Sequence, residues 1–404
     1  GVRKTTDNLE AYDAVLRGVA SYFRTTKEDN LQAQQLFETA IALDPQYAEA
    51  YVRLGWTYYL EWGWRWSSDP HTLERAFAQA QQALVRDDSS ALAHGLLGAL
   101  YAAKGQYDQA LAEIAQALAL DPNAADTYSL RAEVLNYAGR ADEALRMVEH
   151  AMRLNPRSPP GYYLHNLGWA YFSLGRYTDA IATLNSLLAR YPNWWSAYHI
   201  LSLSYLLQWT AQQNPDPHTL VHAVEAAQRT ITLHPSHVIG HALLGTAYMM
   251  QRQYDQAIAE AKQVIAFGPN VAGGYALLAD ILSRIGRADE ALGMVEQALR
   301  REPLFADSHL AWVGSAYYFA GKPELAIAPL QRYLRRYPQS LSVHLTLAAA
   351  YSEVGQEAEA QKEIAEVLRI NPNFSLEVHK EREPLKDHAT LERHIAVLRK
   401  AGLK

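Results

Sequence analysis

Apolar stretches with helical character recur along the whole chain, and each pair of them ends in a proline-containing turn. These turns fall at Pro45, Pro122, Pro156, Pro192, Pro235, Pro269, Pro303, Pro338 and Pro372, with Asp88 in the equivalent slot once. The steps between slots are 43, 34, 34, 36, 43, 34, 34, 35 and 34 residues. Thirty-four residues accommodate two helices and their turns, and the interior of Ala93–Pro122 fits this: Gly98 and Tyr101 mark a first helix, and Ala110, Ile114 and Ala117 a second.

Each mark has a packing reason. Gly55, Gly98, Gly168, Gly245 and Gly314 allow close helix approach, as do Ala110, Ala144, Ala180, Ala257, Ala291 and Ala360 early in the second helices. Tyrosines such as Tyr58, Tyr101, Tyr171, Tyr248 and Tyr351 fill the space left. Runs such as Lys104-Gly105-Gln106-Tyr107 supply the tight turn within a pair, and the proline, which lacks an amide proton, stops the second helix. The last amphipathic run, Thr390 to Lys400, predicts a helix that covers the end of the stack, with residues 373–389 as its linker.

The spacing itself repeats after four units, and the residues agree at an offset of 147: Gly139-Arg140-Ala141-Asp142-Glu143-Ala144-Leu145 recurs as Gly286-Arg287-Ala288-Asp289-Glu290-Ala291-Leu292. The two 43-residue steps share Asp69-Pro70-His71-Thr72-Leu73 and Asp216-Pro217-His218-Thr219-Leu220, read as helix starts with proline at the first helical position. A four-repeat block has been copied.

Together these marks resemble the tetratricopeptide repeat family over residues 11–372, as ten helix pairs. The resemblance implies an all-α, right-handed superhelical solenoid with a C-terminal capping helix. Its divisions would be a start at 1–10, a first unit at 11–45, blocks at 46–192 and 193–338, a last unit at 339–372 and the linker and cap at 373–404.

Composition narrows the function. The net charge of −6 and the absence of any basic run longer than Arg300-Arg301 or Arg335-Arg336 argue against a nucleic-acid partner. There is no cysteine, no 18-residue apolar run that would span a membrane and no secretory leader pattern, so cytoplasmic residence is expected. The chain starts without Met and reads as part of something longer. No phosphate loop, His-Glu-x-x-His or Gly-x-Ser-x-Gly occurs, so neither enzymatic activity nor a cofactor or metal is expected. Asp142-Glu143 and Asp289-Glu290 suit helix starts, and His94, His241, His309 and His344 fall where a pair packs on itself.

In the family this chain resembles, first helices line a concave groove that takes a peptide. Carried to this sequence, that wall comprises Trp56, Tyr59, Glu133, Asn136, Tyr137, His165, Trp169 and Phe172, then Met249, Asp280, Tyr318 and Phe319, with Leu203, Leu206, Thr246, Met250 and Arg284 beside them. The basic clamp of chaperone-tail binders is nearly absent, so that role is not implied. An aromatic wall with scattered carboxylates suits an apolar protein or peptide segment carrying a Lys or Arg. Trp62, Trp64 and Trp66, on an inserted loop, either cover an apolar spot or present a surface.

The runs from Thr5 to Asp13 and from Ala50 to Tyr58, with the ending Leu398-Arg399-Lys400-Ala401-Gly402-Leu403, resemble the C-terminal repeat region of bacterial class III adenylate/guanylate cyclases and related winged-helix regulators. This implies a regulatory arm of a signalling protein. Self-association and small-molecule sensing are the alternatives to peptide binding.

Overall fold

A computed structural model describes residues 6–24, 26–64, 66–156, 160–301 and 309–404. Thr5, Arg65 and the Pro303 slot lie outside the described residues. Among those described, the regular structure comprises 22 α-helices and no strand. Twenty form consecutive pairs, from Leu9–Tyr22 with Lys27–Leu43 to Leu341–Glu353 with Glu357–Ile370; Leu376–Arg382 and His388–Lys400 follow.

The pairs arise as the marks require. Second helices end at Leu43, Leu120, Leu154, Arg190, Leu233, Arg336 and Ile370, each one residue before a cap that directly precedes a slot proline. From the third pair on, each first helix is followed two residues later by a left-handed residue, as at Gly105 (φ 74°) and Gly175 (φ 73°), so that the next amides can reach back; Gln106 N donates to Tyr101 O at 2.9 Å. The small residues are needed: a Cβ on Gly98 would meet Ile114 Cγ1 at 2.6 Å, and one on Gly168 would meet Leu184 Cγ at 2.8 Å. The inserted turns differ from expectation. Helices begin at Thr72 and Thr219, not at the prolines, because Asp69 and Asp216 side chains accept the His71 and His218 amides, each at 2.9 Å, and form the turn first.

The chain divides into two compact units, Gly1–Asn166 and Leu167–Lys404. The division falls inside helix Gly161–Ser173: Phe172 and Tyr177 pack in the core that also contains Tyr318, Phe319 and Leu398. The first unit holds four pairs and the start of a fifth; the second holds the remainder and the C-terminal helices.

The C-terminal segment is the main departure from expectation. Residues 373–389 are not a linker: they contain helix Leu376–Arg382, and Phe374, Leu376 and Leu385 are buried in the core of the second unit. Helix His388–Lys400, started by Asp387 accepting the Thr390 amide, packs on Leu341–Glu353 as a cap would. It also covers Tyr318 and Phe319 on the preceding first helix, so it lies along an inner face and not only across an end.

Candidate functional site: two inner walls

In the first unit, spacings of three and four residues bring first-helix side chains to a common face. Trp56 and Tyr59 meet edge to face at 5.6 Å, Tyr59 and Trp62 lie 6.0 Å apart, and Tyr137 stacks on Tyr107 at 6.4 Å. Glu133 and Tyr137 stand close enough to Tyr59 for their charges to raise its hydroxyl pKa, after burial, the larger cause. Tyr22 is likewise influenced by Arg53 and Asp126, and Tyr162 by Asp126 and Tyr22. Side chains of the first, second, fourth and fifth pairs therefore lie within electrostatic reach of one another.

Glu133 is the unusual group among these side chains. It is partly exposed and has no hydrogen-bond or ion-pair partner among the described residues. Burial pushes its carboxyl up to about 7. His165 is held neutral, with burial drawing its pKa down to about 4. The buried Trp56 indole N–H also lacks an acceptor. The wall thus offers aromatic faces, one unpaired carboxylate and an unused donor.

Asn136 departs from the expected role. It is buried, and its amide donates to Asn166 O at 3.1 Å while Asn166 donates to Ser129 O at 3.0 Å, so it joins two helices instead of facing a groove. Trp62 sits on the last helical turn and is 40 % exposed, whereas Trp64 and Trp66 are half-buried against each other at 5.6 Å.

The inner wall of the second unit is filled by the chain itself. Met249, Asp280, Tyr318 and Phe319 are all buried, while Trp169 and Phe172 remain partly exposed. Arg252 donates to the Glu381 and Glu383 carbonyls at 3.0 and 2.9 Å; Arg382 lies 3.8 Å over the Trp209 ring and donates to Trp209 O. Gln212 and Ser375 exchange two hydrogen bonds, and Asn371 donates to Ala211 O at 2.8 Å. Arg284 bonds Asp280 at 3.0 Å and pairs with Glu383. Arg252 (φ 62°) and Gln212 (φ 54°) are the non-glycine residues with left-handed backbone among those described, and both hold this segment. The backbone strain that a side chain incurs there coincides with a contact that glycine could not make.

Profiles of the tetratricopeptide repeat match residues 91–124, 123–193, 222–272, 277–341 and 320–380. The chain belongs to the tetratricopeptide repeat family. Repeats of this family generally mediate protein–protein interactions, and the matched profiles are all of that kind. No curated protein matches the chain. Among solved structures, a human IFIT1 dimer with m7Gppp-AAAA is 14 % identical, covering 88 % of this chain and 90 % of that one with a TM-score of 0.58. A thermophilic repeat protein of Thermus thermophilus is 26 % identical, covering 48 % of this chain and 98 % of that one with a TM-score of 0.42. The likeness to IFIT1 speaks to the fold alone.

Seen as tetratricopeptide repeats, the units share a clasp that the periodicity did not reveal. Tyr51, Tyr128, Tyr198 and Tyr275 each donate to the slot-proline carbonyl six residues earlier, at 3.1–3.3 Å. His241 and His344 reach the same carbonyl at 3.0 Å. Histidines at repeat positions are thus accounted for by packing. His309, by contrast, stacks on Trp312 at 5.9 Å.

Proposed function

We propose that the first unit is a peptide-binding scaffold whose inner wall captures a protein segment by a Lys or Arg side chain set among aromatic residues. The observation carrying this is Glu133: a carboxyl with no ion-pair partner among the described residues, beside Tyr59 and Tyr137, raised to about 7 by burial. A bound cation would supply the missing counter-charge, and the neighbouring rings would attract the same group through their faces. Tyr22, Arg53, Asp126 and Tyr162 extend the wall, and apolar flanking residues of the partner would pack on Trp56 and Tyr59. The carboxylates argue against an anionic ligand such as the m7Gppp-AAAA of the IFIT1 structure. A regulatory arm of a bacterial signalling protein, residing in the cytoplasm, accords with this reading and with the sequence resemblance to cyclase repeat regions.

Arrays of apolar peptides containing Lys, Arg or norleucine at the centre test the idea on the intact chain. Preference for the basic peptides, weakened at least tenfold in Glu133→Gln and in Tyr59→Ala, is the expected result. Equal binding of norleucine peptides, or binding insensitive to both substitutions, overturns it.

A further inference from the structure

The segment that fills the second unit brings three metal-ligating side chains to one point. His379 lies on helix Leu376–Arg382, Glu383 is the residue that caps its C-terminus, and His394 reaches them from the next helix. Their ligand atoms all lie within 4.8 Å of one another. The two imidazole Nε2 atoms are 3.1 Å apart, and His379 Nε2 is 3.7 Å from a Glu383 oxygen. Two nitrogen ligands of a tetrahedral ion with bonds of about 2.0–2.1 Å stand about 3.3 Å apart, so this spacing needs little adjustment.

The surroundings are those of a prepared site. His379 and His394 are both buried, so their ring nitrogens are shielded from water. His394 Nδ1 lies 3.0 Å from the Tyr318 hydroxyl, so the far side of the ring is oriented by a hydrogen bond while Nε2 turns inward. One Glu383 oxygen takes Arg284, which also bonds Asp280, leaving the other toward the histidines. Two carboxylates thus face one guanidinium, and a divalent ion would offset the excess. With no ion, the two facing nitrogens can share only one proton, one donating and one accepting, and the nearby carboxylate oxygen adds a second acceptor.

We propose that His379, Glu383 and His394 bind a divalent cation of the zinc class, and that this ion ties helix Leu376–Arg382 to helix His388–Lys400, fixing the C-terminal segment in the shape that packs on the repeats of the second unit. Two histidines and a carboxylate are a ligand set that zinc accepts. Burial closes the site to substrates, so its role is structural: the ligands belong to the segment, and their supporting partners Arg284 and Tyr318 belong to the repeats.

The test uses the intact chain without a histidine tag, stripped with a chelator and titrated with Zn²⁺ against a chromophoric indicator, with Co²⁺ as a spectroscopic probe. One equivalent should bind, Co²⁺ should develop the visible absorption of a four-coordinate site, and cleavage of residues 373–404 by protease should slow. His379→Gln and His394→Gln should each weaken binding more than tenfold, Tyr318→Phe about tenfold, and the exposed His388→Gln not at all. Should His394→Gln fail to fold, His379→Gln carries the comparison, with circular dichroism confirming its helicity. Absence of stoichiometric binding by the intact chain, or binding undiminished in both His379→Gln and Glu383→Gln, overturns the proposal.

Discussion

His344 and Glu363, nineteen residues apart on the two helices of one pair, meet ring nitrogen to carboxylate at 2.5 Å. The other nitrogen of the ring lies 3.0 Å from Pro338 O, so one side chain ties the first helix to the second and to the turn before it. His94 with Glu113 at 2.7 Å and His241 with Glu260 at 2.6 Å repeat the arrangement. Replacing His344 with Ala strands a half-buried carboxylate and a carbonyl and should cost about 1–3 kcal/mol, read from urea melts of the whole chain. His344→Tyr should lose less, since tyrosine reaches the proline carbonyl from this position in Tyr275. Equal losses would show that the contact to Glu363 carries the whole effect.

Two glycines should respond oppositely to alanine. A Cβ on Gly98 would lie 2.6 Å from Ile114 Cγ1, near the root of a buried side chain, so Gly98→Ala should destabilise by about 1–3 kcal/mol. Gly293, inside helix Ala288–Arg301 with nothing within 4 Å of its would-be Cβ, should gain about 0.5–1 kcal/mol from the same change. Thermal melting of the two variants checks both signs.

Glu133 gives a pH dependence of known sign. Its carboxyl is raised from 4.5 to about 7 in the fold. The unfolded chain therefore loses this proton first as pH rises, and stability should fall between about pH 4.5 and about pH 7, then level off. Binding of a basic peptide should strengthen over the approach to pH 7 and above, as the carboxylate forms. Comparison of melting curves for the parent chain and Glu133→Gln isolates the slope; identical slopes would contradict the assignment.

Arg252→Gly should relieve a left-handed backbone, worth about 1 kcal/mol, while removing the contacts to the Glu381 and Glu383 carbonyls. The expected outcome is faster proteolysis within residues 373–404 with the repeats' helicity retained. Unchanged proteolysis would mean that Arg252 does not hold the segment.

Truncation after residue 372 should expose Tyr318, Phe319, Leu345 and Leu347 in the second unit, raising the fluorescence of a hydrophobic dye and promoting aggregation. A monomeric, dye-silent product would show that the repeats repack without their C-terminal segment.

The helix pairs were legible in the sequence because proline, glycine and alanine act through local sterics that recur every repeat. The repeat register proposes wall places for Trp56, Tyr59, Glu133 and Asn136, and the first three could keep them as proposals. Asn136 could not, because the same register places it near Asn166, and an amide that finds a carbonyl turns away from the wall. Residues 373–389 lie beyond the last slot proline and before the final amphipathic run, outside the repeat pattern, and so read as a linker in the sequence. Main-chain carbonyls at Trp209, Ala211, Glu381 and Glu383 are part of what holds this segment, and no side-chain pattern encodes them. The His379–Glu383 spacing was a usable signal, but its third member stands fifteen residues away from His379 on another helix.

The bond from Asn371 to Ala211 joins residues 160 apart in a fold whose repeats otherwise pack mainly on their nearest neighbours. It turns a linear file of pairs into a closed loop. A file can fray from its free end one pair at a time, whereas a loop must break its clasp before any member leaves. Hydrogen exchange should therefore show the first unit, Leu9–Tyr22 foremost, opening in steps, and residues 209–404 exchanging as a single block.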